Sequence, residues 1–442
     1  MVSMSSRMVE IADFPSVSLS NTRSLYVYLP PSYHENTDKH YAVLYMHDGQ
    51  HVFSADERGG SWDMHVTADR LVFEGRMEEI IIVGIATVPH QRLNEYFHDN
   101  PRMHQVFDPP FAGERYETFI IEEVMPYINQ NFRTLRGPEH TAMMGSSAGG
   151  IVTYNIGFRR PDVFGSIAVM SPYFVRAQFD ERGELKEHSF YERYGTHPNL
   201  RVWLDMGGAE GVFMEKYARE EAERLVQDGF VPGDDLMLFL DPGAAHSQSD
   251  WAGRAQAPLL YFFGNIGEPV SIKLYGDGVA GVNGPVKQLN PVITYDSGFV
   301  QTLMNGTYHV ESPELLTILP DGTLKPRTPG STRITLHMGS LSADKEIRIV
   351  EELPEFVKVA IEVKVPPATP VSPMIYAGFE IPYSGEGFYR GSAMVPHGLS
   401  FTFKVSRGFG LHEKIGDPKV KRRSFTASSD LELFYEVEDW DV

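Results

Sequence analysis

The chain has 442 residues, a formal net charge of −20 and no cysteine. That length admits roughly two to four domains and a sizeable core. The acidic balance argues against nucleic acid or an anionic membrane surface as a partner, and the lack of cysteine excludes disulfides, thiolate metal sites and cysteine nucleophiles.

The first ten residues, Met1 to Glu10, carry no apolar stretch of the kind a secretory leader needs. This favours a cytoplasmic over a secreted location, although a chain whose leader had been removed would read the same. No apolar run reaches ~18 residues, so no membrane-spanning helix is expected. Ser24–Pro31 alternates and ends in a proline turn, whereas Tyr41–Met46 is apolar throughout, as a buried parallel strand should be. His47-Asp-Gly-Gln50 follows, then Gly59-Gly-Ser-Trp-Asp63 and a helix to about Phe73. Further strands are predicted at Glu79–Ile85, Thr141–Met144, Ile167–Met170, Arg201–Met206 and Leu236–Leu240. Helices are predicted at Tyr116–Asn131, Gly150–Arg159, Phe213–Gln227 and about Asp250–Phe263. Alternation of this kind builds an α/β fold, a mostly parallel sheet with helices on both faces.

The pattern changes near Asn265. Val270–Tyr275, Thr317–Leu324, Pro329–Leu336 and Lys345–Val350 read as short strands of a β-sandwich. Glu351–Pro354 reads as a linker, and Lys358–Val365, Met374–Gly378, Leu399–Val405 and Leu431–Val437 as a second all-β unit. The expected domains are therefore 1–265, 266–352 and 355–442.

Between the strand at Thr141 and the helix at Gly150 lies Gly145-Ser-Ser-Ala-Gly149, a G-x-S-x-G turn. A sharp strand-to-helix turn exposes its central hydroxyl, here Ser147, and leaves the Ala148 N–H at a helix start, free to bind an oxyanion. The plainer alternative is a glycine-rich turn with an incidental serine. A serine hydroxyl needs a base. Among 16 histidines, His246 has the position the fold requires, in the loop after the last strand. The long polar and aromatic segment Val88–Tyr116 suits a site loop. Its histidines, His90, His98 and His104, lack tight ligand spacing, so no metal site is expected.

Several motifs together resemble one family. His47–Gln50 with its strand, Gly60-Ser-Trp-Asp63, Arg92-Leu-Asn-Glu-Tyr96, Gly145–Gly150 and Arg160–Gly165 look like the esterase D group of α/β-hydrolases. That group includes enterobactin-esterase-like, feruloyl-esterase-like and mycolyltransferase-like enzymes, and the likeness spans roughly residues 15–265. Residues 286–350 resemble a bacterial Ig-like domain. Residues 357–440 resemble a starch-binding-type carbohydrate module in degenerate form, with Phe409 where a tryptophan would stand. The resemblance implies an α/β-hydrolase fold with Ser147, Glu210 and His246 as a catalytic triad. Asp205 is the rival acid, although strand alternation tucks it into or beside the sheet. The resemblance also implies an oxyanion hole from the N–H groups of Gln50 and Ala148, and substrate contacts from Asp48, Arg92 and Trp62. Two readings stay open for Asp48, a substrate hydroxyl contact or a turn cap. Two also stay open for Arg92, a substrate contact or a brace to Glu95. His47 reads as structural, and Asp241 as a turn residue before an orienting one. The aromatic stretch Phe174–Leu200 either caps an acyl pocket or simply packs.

The function expected is that of a serine carboxylic-ester hydrolase working through an acyl-enzyme and needing no cofactor. Its expected substrates are small-molecule or saccharide esters, with feruloyl or acetyl esters of saccharides foremost and a siderophore trilactone as the alternative. A different class, a carbohydrate-binding or scaffolding protein with a vestigial hydrolase, stays open, as does self-association through the β-domains.

Overall fold

A computed structural model describes residues 5–54, 60–408, 411–415 and 421–441; Gly59 and Phe409, named above, lie outside that set. The first unit contains, in chain order, β1 (Arg7–Ser16), β2 (Asn21–Leu29), β3 (Ala42–Met46), α1 (Met64–Phe73), β4 (Ile80–Ile85), α2 (Arg92–Tyr96), α3 (Gly113–Thr118), α4 (Met125–Asn131), β5 (Thr141–Ser146) and α5 (Ala148–Arg159). It continues with β6 (Ser166–Met170), β7 (Val175–Phe179), β8 (Leu185–Ser189), β9 (Arg201–Gly207), α6 (Glu215–Gln227), β10 (Leu236–Asp241), α7 (Gln248–Arg254) and α8 (Gln256–Phe263).

Eight of these strands form one sheet in the order β1-β2-β4-β3-β5-β6-β9-β10. β1 and β2 join it antiparallel, and β4 through β10 run parallel. The parallel strands are mostly apolar because both faces are covered. Alternate side chains feed two cores, in keeping with the two-residue period of a strand. Val43, Tyr45, Ile81, Val83, Met143, Ile167 and Val169 enter one core, while Leu44, Met46, Ile80, Ile82, Met144, Ala168 and Met170 enter the other. The helix predicted over Tyr116–Asn131 is a continuous rod from Gly113 to Asn131, with a π-helical segment at Phe119–Val124 between α3 and α4. The sequence reading did not identify β7 and β8, which pair as a hairpin outside the main sheet.

β10 is the edge of the sheet, and an open edge leaves backbone groups without partners. Here the second unit covers it. Thr302 Oγ1 accepts the Leu240 N–H at 2.9 Å and Asn290 Nδ2 donates to the Leu240 carbonyl at 2.7 Å. The residues following α8 form strands only, among those described. Pro269–Tyr275, Asn290–Tyr295 and Val300–Thr302 make one sheet, opposite a four-stranded sheet built from Val279–Asn283, Leu341–Glu352, Gly330–Met338 and Thr307–Val310. The single strand predicted over Thr317–Leu324 is a small hairpin, Leu316–Ile318 with Leu324–Pro326, because Pro320-Asp321-Gly322 turns the chain. Phe356–Lys364 is central to the last unit, flanked by Phe388–Pro396 and Leu431–Glu436 in a five-stranded sheet.

Candidate active site

β5 ends in the tight turn. A Cβ on Gly145 would lie 2.5 Å from the Gly149 carbonyl oxygen, which is backbone and cannot yield, so only glycine fits. Ser147 then adopts φ +57°, ψ −121°, outside the regions open to an unstrained L-residue. Its N–H is held by the Met170 carbonyl at 3.0 Å, and its own carbonyl accepts the Tyr173 N–H at 3.1 Å. Ala148 is the first residue of α5. Its N–H is one of those a helix cannot satisfy internally, at the positive end of the dipole.

The β10–α7 loop delivers His246. Its Nε2 is 3.0 Å from Ser147 Oγ and its Nδ1 is 2.6 Å from Glu210 Oε2. The ring is fixed on two sides, with Phe213 stacked on it at 4.0 Å and Trp251 edge-on at 4.9 Å. Glu210, in the loop after β9, is 4 % exposed. Its other oxygen accepts the Gly207 N–H at 2.7 Å and the Ser171 hydroxyl at 2.6 Å. Burial alone would raise its pKa, but His246, Arg254 and Ser171 together hold it below the usual carboxylate value.

The carboxylate that meets His246 is thus Glu210's. The rival, Asp205, is fully buried on β9. It accepts the Trp203 indole N–H at 2.8 Å and the Ser171 N–H at 3.2 Å, and lies 3.1 Å from Arg254. Burial pushes its pKa up to about 6. Arg254 is 3 % exposed, donates to Ser171 Oγ at 2.6 Å and lies 3.4 Å from Glu210. Sequence reasoning missed both Ser171 and Arg254. Ser171 directly follows β6, at the carboxyl edge of the sheet where sites of open α/β folds gather. Arg254 is a lone cation in the apolar stretch Trp251–Phe263, a faint signal of a buried charge pair.

The β3 loop lies alongside. The His47 N–H donates to Met144 at 3.2 Å, and a Cβ on Gly149 would lie 3.3 Å from an Asp48 carboxylate oxygen. Asp48 has φ +54° and makes no turn cap. Instead it takes a bidentate bond from Arg92, at 2.6 and 2.8 Å. This corrects the alternative brace from Arg92 to Glu95, because Arg23 takes Glu95 in a buried pair at 2.8 Å. Gln50 sits in the short 3-10 turn Gly49–His51, with its side chain pinned by the Thr87 N–H at 3.1 Å. His47 is buried, bonded to Tyr116 at 2.9 Å, and its pKa falls to about 3 through desolvation. Trp62 is 4 % exposed; its indole donates to Gln248 at 2.5 Å and its ring packs 6.1 Å from Trp251. Asp241 accepts the Gly243 N–H, a turn bond. His98 pairs with Glu117 and His104 with Asp99. Phe174, Phe190 and Tyr191 are core residues, which answers the open question of the Phe174–Leu200 stretch in favour of packing for these three.

A hydroxyl on a strained turn, bonded to an imidazole that is bonded to a buried carboxylate, can transfer an acyl group. The mixed sheet with its helices is that of an α/β-hydrolase domain, and the family match makes the protein a carboxylic-ester hydrolase. The chain belongs to the Esterase family, whose model matches residues 16–236. It is similar to an uncharacterized Bacillus subtilis protein, YbbA, at 26 % identity over 55 % of this chain and 94 % of that one. It is also similar to an endo-1,4-beta-xylanase/feruloyl esterase of Xylanibacter ruminicola, at 28 % identity over 37 % of this chain and 21 % of the relative. Among solved structures, a ferulic acid esterase of Anaeromyces mucronatus, in complex with ferulic acid, aligns at 22 % identity over 58 % of this chain and 90 % of that one, with a TM-score of 0.43.

Proposed function

We propose that the protein is a serine esterase in which Ser147, His246 and Glu210 act as a triad. The observation that carries this reading is the hydrogen-bond chain Ser147–His246–Glu210, at 3.0 and 2.6 Å. Ser147 Oγ attacks the ester carbonyl as its proton passes to His246 Nε2. Glu210 stabilises the imidazolium, and the N–H groups of Ala148 and Gln50 take the oxyanion. The proton then goes to the leaving alcohol; water, deprotonated by His246, attacks the acyl carbonyl, and the acid leaves as His246 returns that proton to Ser147 Oγ. The residues themselves supply nucleophile, base and oxyanion donors, so the reaction as written draws on no cofactor.

Aromatic side chains around the base support a reading of the substrate class. Phe213, stacked on His246, begins a row with Tyr173 and Phe107, with successive ring centroids 5.4 and 6.1 Å apart. All three are partly exposed, which suits a planar aromatic acyl group. Together with the feruloyl-esterase relative and the carbohydrate-module likeness of the last unit, this favours feruloyl or acetyl esters of saccharides. Asp48, held by Arg92 in the loop after β3, is the group that would meet a substrate hydroxyl.

The test is hydrolysis of methyl ferulate and p-nitrophenyl acetate by wild type and Ser147→Ala. The expected result is activity on at least one ester and a loss of about a thousandfold or more in the variant. Equal rates in the two proteins, with no labelling of wild type by a fluorophosphonate, would return the hydrolase unit to the vestigial reading.

A further inference from the structure

The two loops that carry the proposed acid and base are both gripped from outside the sheet that presents them. The tip of the acid loop is paired to a strand of the last β-unit. Gly211 N–H donates to the Ser400 carbonyl at 3.1 Å and Thr402 N–H to the Ala209 carbonyl at 2.9 Å. Glu210 sits between these bonds, opposite Phe401 in an antiparallel bridge. The contact is tight, since Gly211 has φ +65° and a Cβ there would lie 2.6 Å from the Phe401 ring.

The base loop is held by the same unit. Ser247, next in chain to His246, is the N-cap of α7, its side chain accepting the Asp250 N–H. Arg422 ties this corner down. It bonds both oxygens of Asp250, one at 3.2 Å, and donates to Ser247 Oγ at 3.2 Å. These bonds hold Asp250 below its ordinary pKa although burial alone would raise it. The hairpin β7–β8 is caught as well, through Phe179 against Phe379 at 5.3 Å and the Met394 N–H to the Gly183 carbonyl at 2.8 Å.

We infer that the C-terminal β-unit is a working part of the esterase site: the Ser400–Thr402 backbone supports Glu210, and Arg422 is the positioning residue for the His246–Ser247 corner. This rests on the triad reading above. A triad functions only while its members stay within a fraction of an ångström of register, and loops on their own hold such register poorly. Here the two loops are held from one place, the paired strands Ser400–Phe403 and Arg423–Thr426, with Arg422 immediately before the second.

The experiment uses the full-length chain and compares Arg422→Ala, Arg422→Lys, Asp250→Asn and Ser147→Ala on the better of the two esters. Arg422 is partly exposed, so Arg422→Ala should stay folded, which circular dichroism and a thermal midpoint check. The expected result is a fall in kcat of about tenfold or more with KM within about twofold, as displacement of a catalytic group costs rate rather than binding. Fluorophosphonate labelling of Ser147 should slow in parallel. Arg422→Lys keeps the charge without the fork and should recover part of the rate; Asp250→Asn should resemble Arg422→Ala. If Ser147→Ala is dead while Arg422→Ala and Asp250→Asn retain wild-type kcat and labelling rate, the positioning role is overturned and the triad stands. If Ser147→Ala keeps its rate, the triad reading itself has failed and takes the positioning role with it.

Discussion

Next to His246, two carboxylates and one guanidinium share a buried space. Asp205 and Glu210 are buried, and Arg254 faces both, at 3.1 and 3.4 Å. Removing one member of a buried charge network strands the others, at a cost of about 3–5 kcal/mol. Arg254→Met, similar in volume, should lower stability by about that amount at pH 8, read by urea denaturation. Without Arg254 both folded-state pKa values rise, so the penalty should shrink as pH falls and the carboxyls take up protons. Asp205 makes the same sign visible in the wild type. Its folded pKa of about 6 lies above its unfolded value of 3.8, so the native state holds the extra proton and stability falls as pH rises between those values. Asp205→Asn should flatten that stretch of the stability–pH curve, which denaturation midpoints at pH 4.5 and 7 compare. At this scale the sequence was most informative where chain order constrains chemistry. Ser147 follows from its glycines and His246 from its place after the last strand. Ser171 and Arg254 carry no comparable local mark, since they meet only through a contact 83 residues apart.

Among the elements, β10 illustrates how an edge strand is finished. Thr302 and Asn290 are bonded to each other at 2.8 Å and satisfy the N–H and carbonyl of Leu240. Thr302→Val keeps the shape but leaves a buried N–H unpaired, which costs about 1–3 kcal/mol. The thermal midpoint should drop accordingly, with kcat unchanged because Leu240 lies well before His246 in the chain. Unchanged stability would show that water replaces the hydroxyl. Strands like β3 and β4 were legible because burial on both faces writes an unbroken apolar run. The hairpin β7–β8 was not, because its outer strand, Leu185–Ser189, is mostly exposed and polar, like a loop. The segment Thr317–Leu324 misled for the reverse reason: its flanks alternate like one strand, and the turn at Pro320–Gly322 folds them against each other.

Across the whole molecule, the three units are joined through their cores. Val292 and Phe299, from the second unit, lie in the core that holds Leu44, Met46 and Ile80 of the esterase sheet, where Phe299 meets Trp203 at 5.8 Å. Phe179 and Val212, from the esterase unit, pack on the core of the last one, and Leu399 of the last unit packs on the esterase core that holds Val43, Tyr45 and Ile81. Chains of several domains commonly unfold in steps, but steps need interfaces that separate without exposing core. Here separation would uncover Trp203 and Phe299, both fully buried. None of this was legible in the sequence, because a buried aromatic reads the same whether its neighbours come from its own unit or the next. The consequence is a single cooperative transition, in which esterase activity and β-structure are lost together. Phe299→Ala should move that whole transition down, by the roughly 3–5 kcal/mol a buried phenylalanine loses on truncation, although Phe299 lies outside the catalytic chain. Calorimetry with activity sampled along the same ramp decides it: a Phe299→Ala protein that melts in two steps, the esterase step unmoved and still active after the first, would mean that the units fold independently and merely touch.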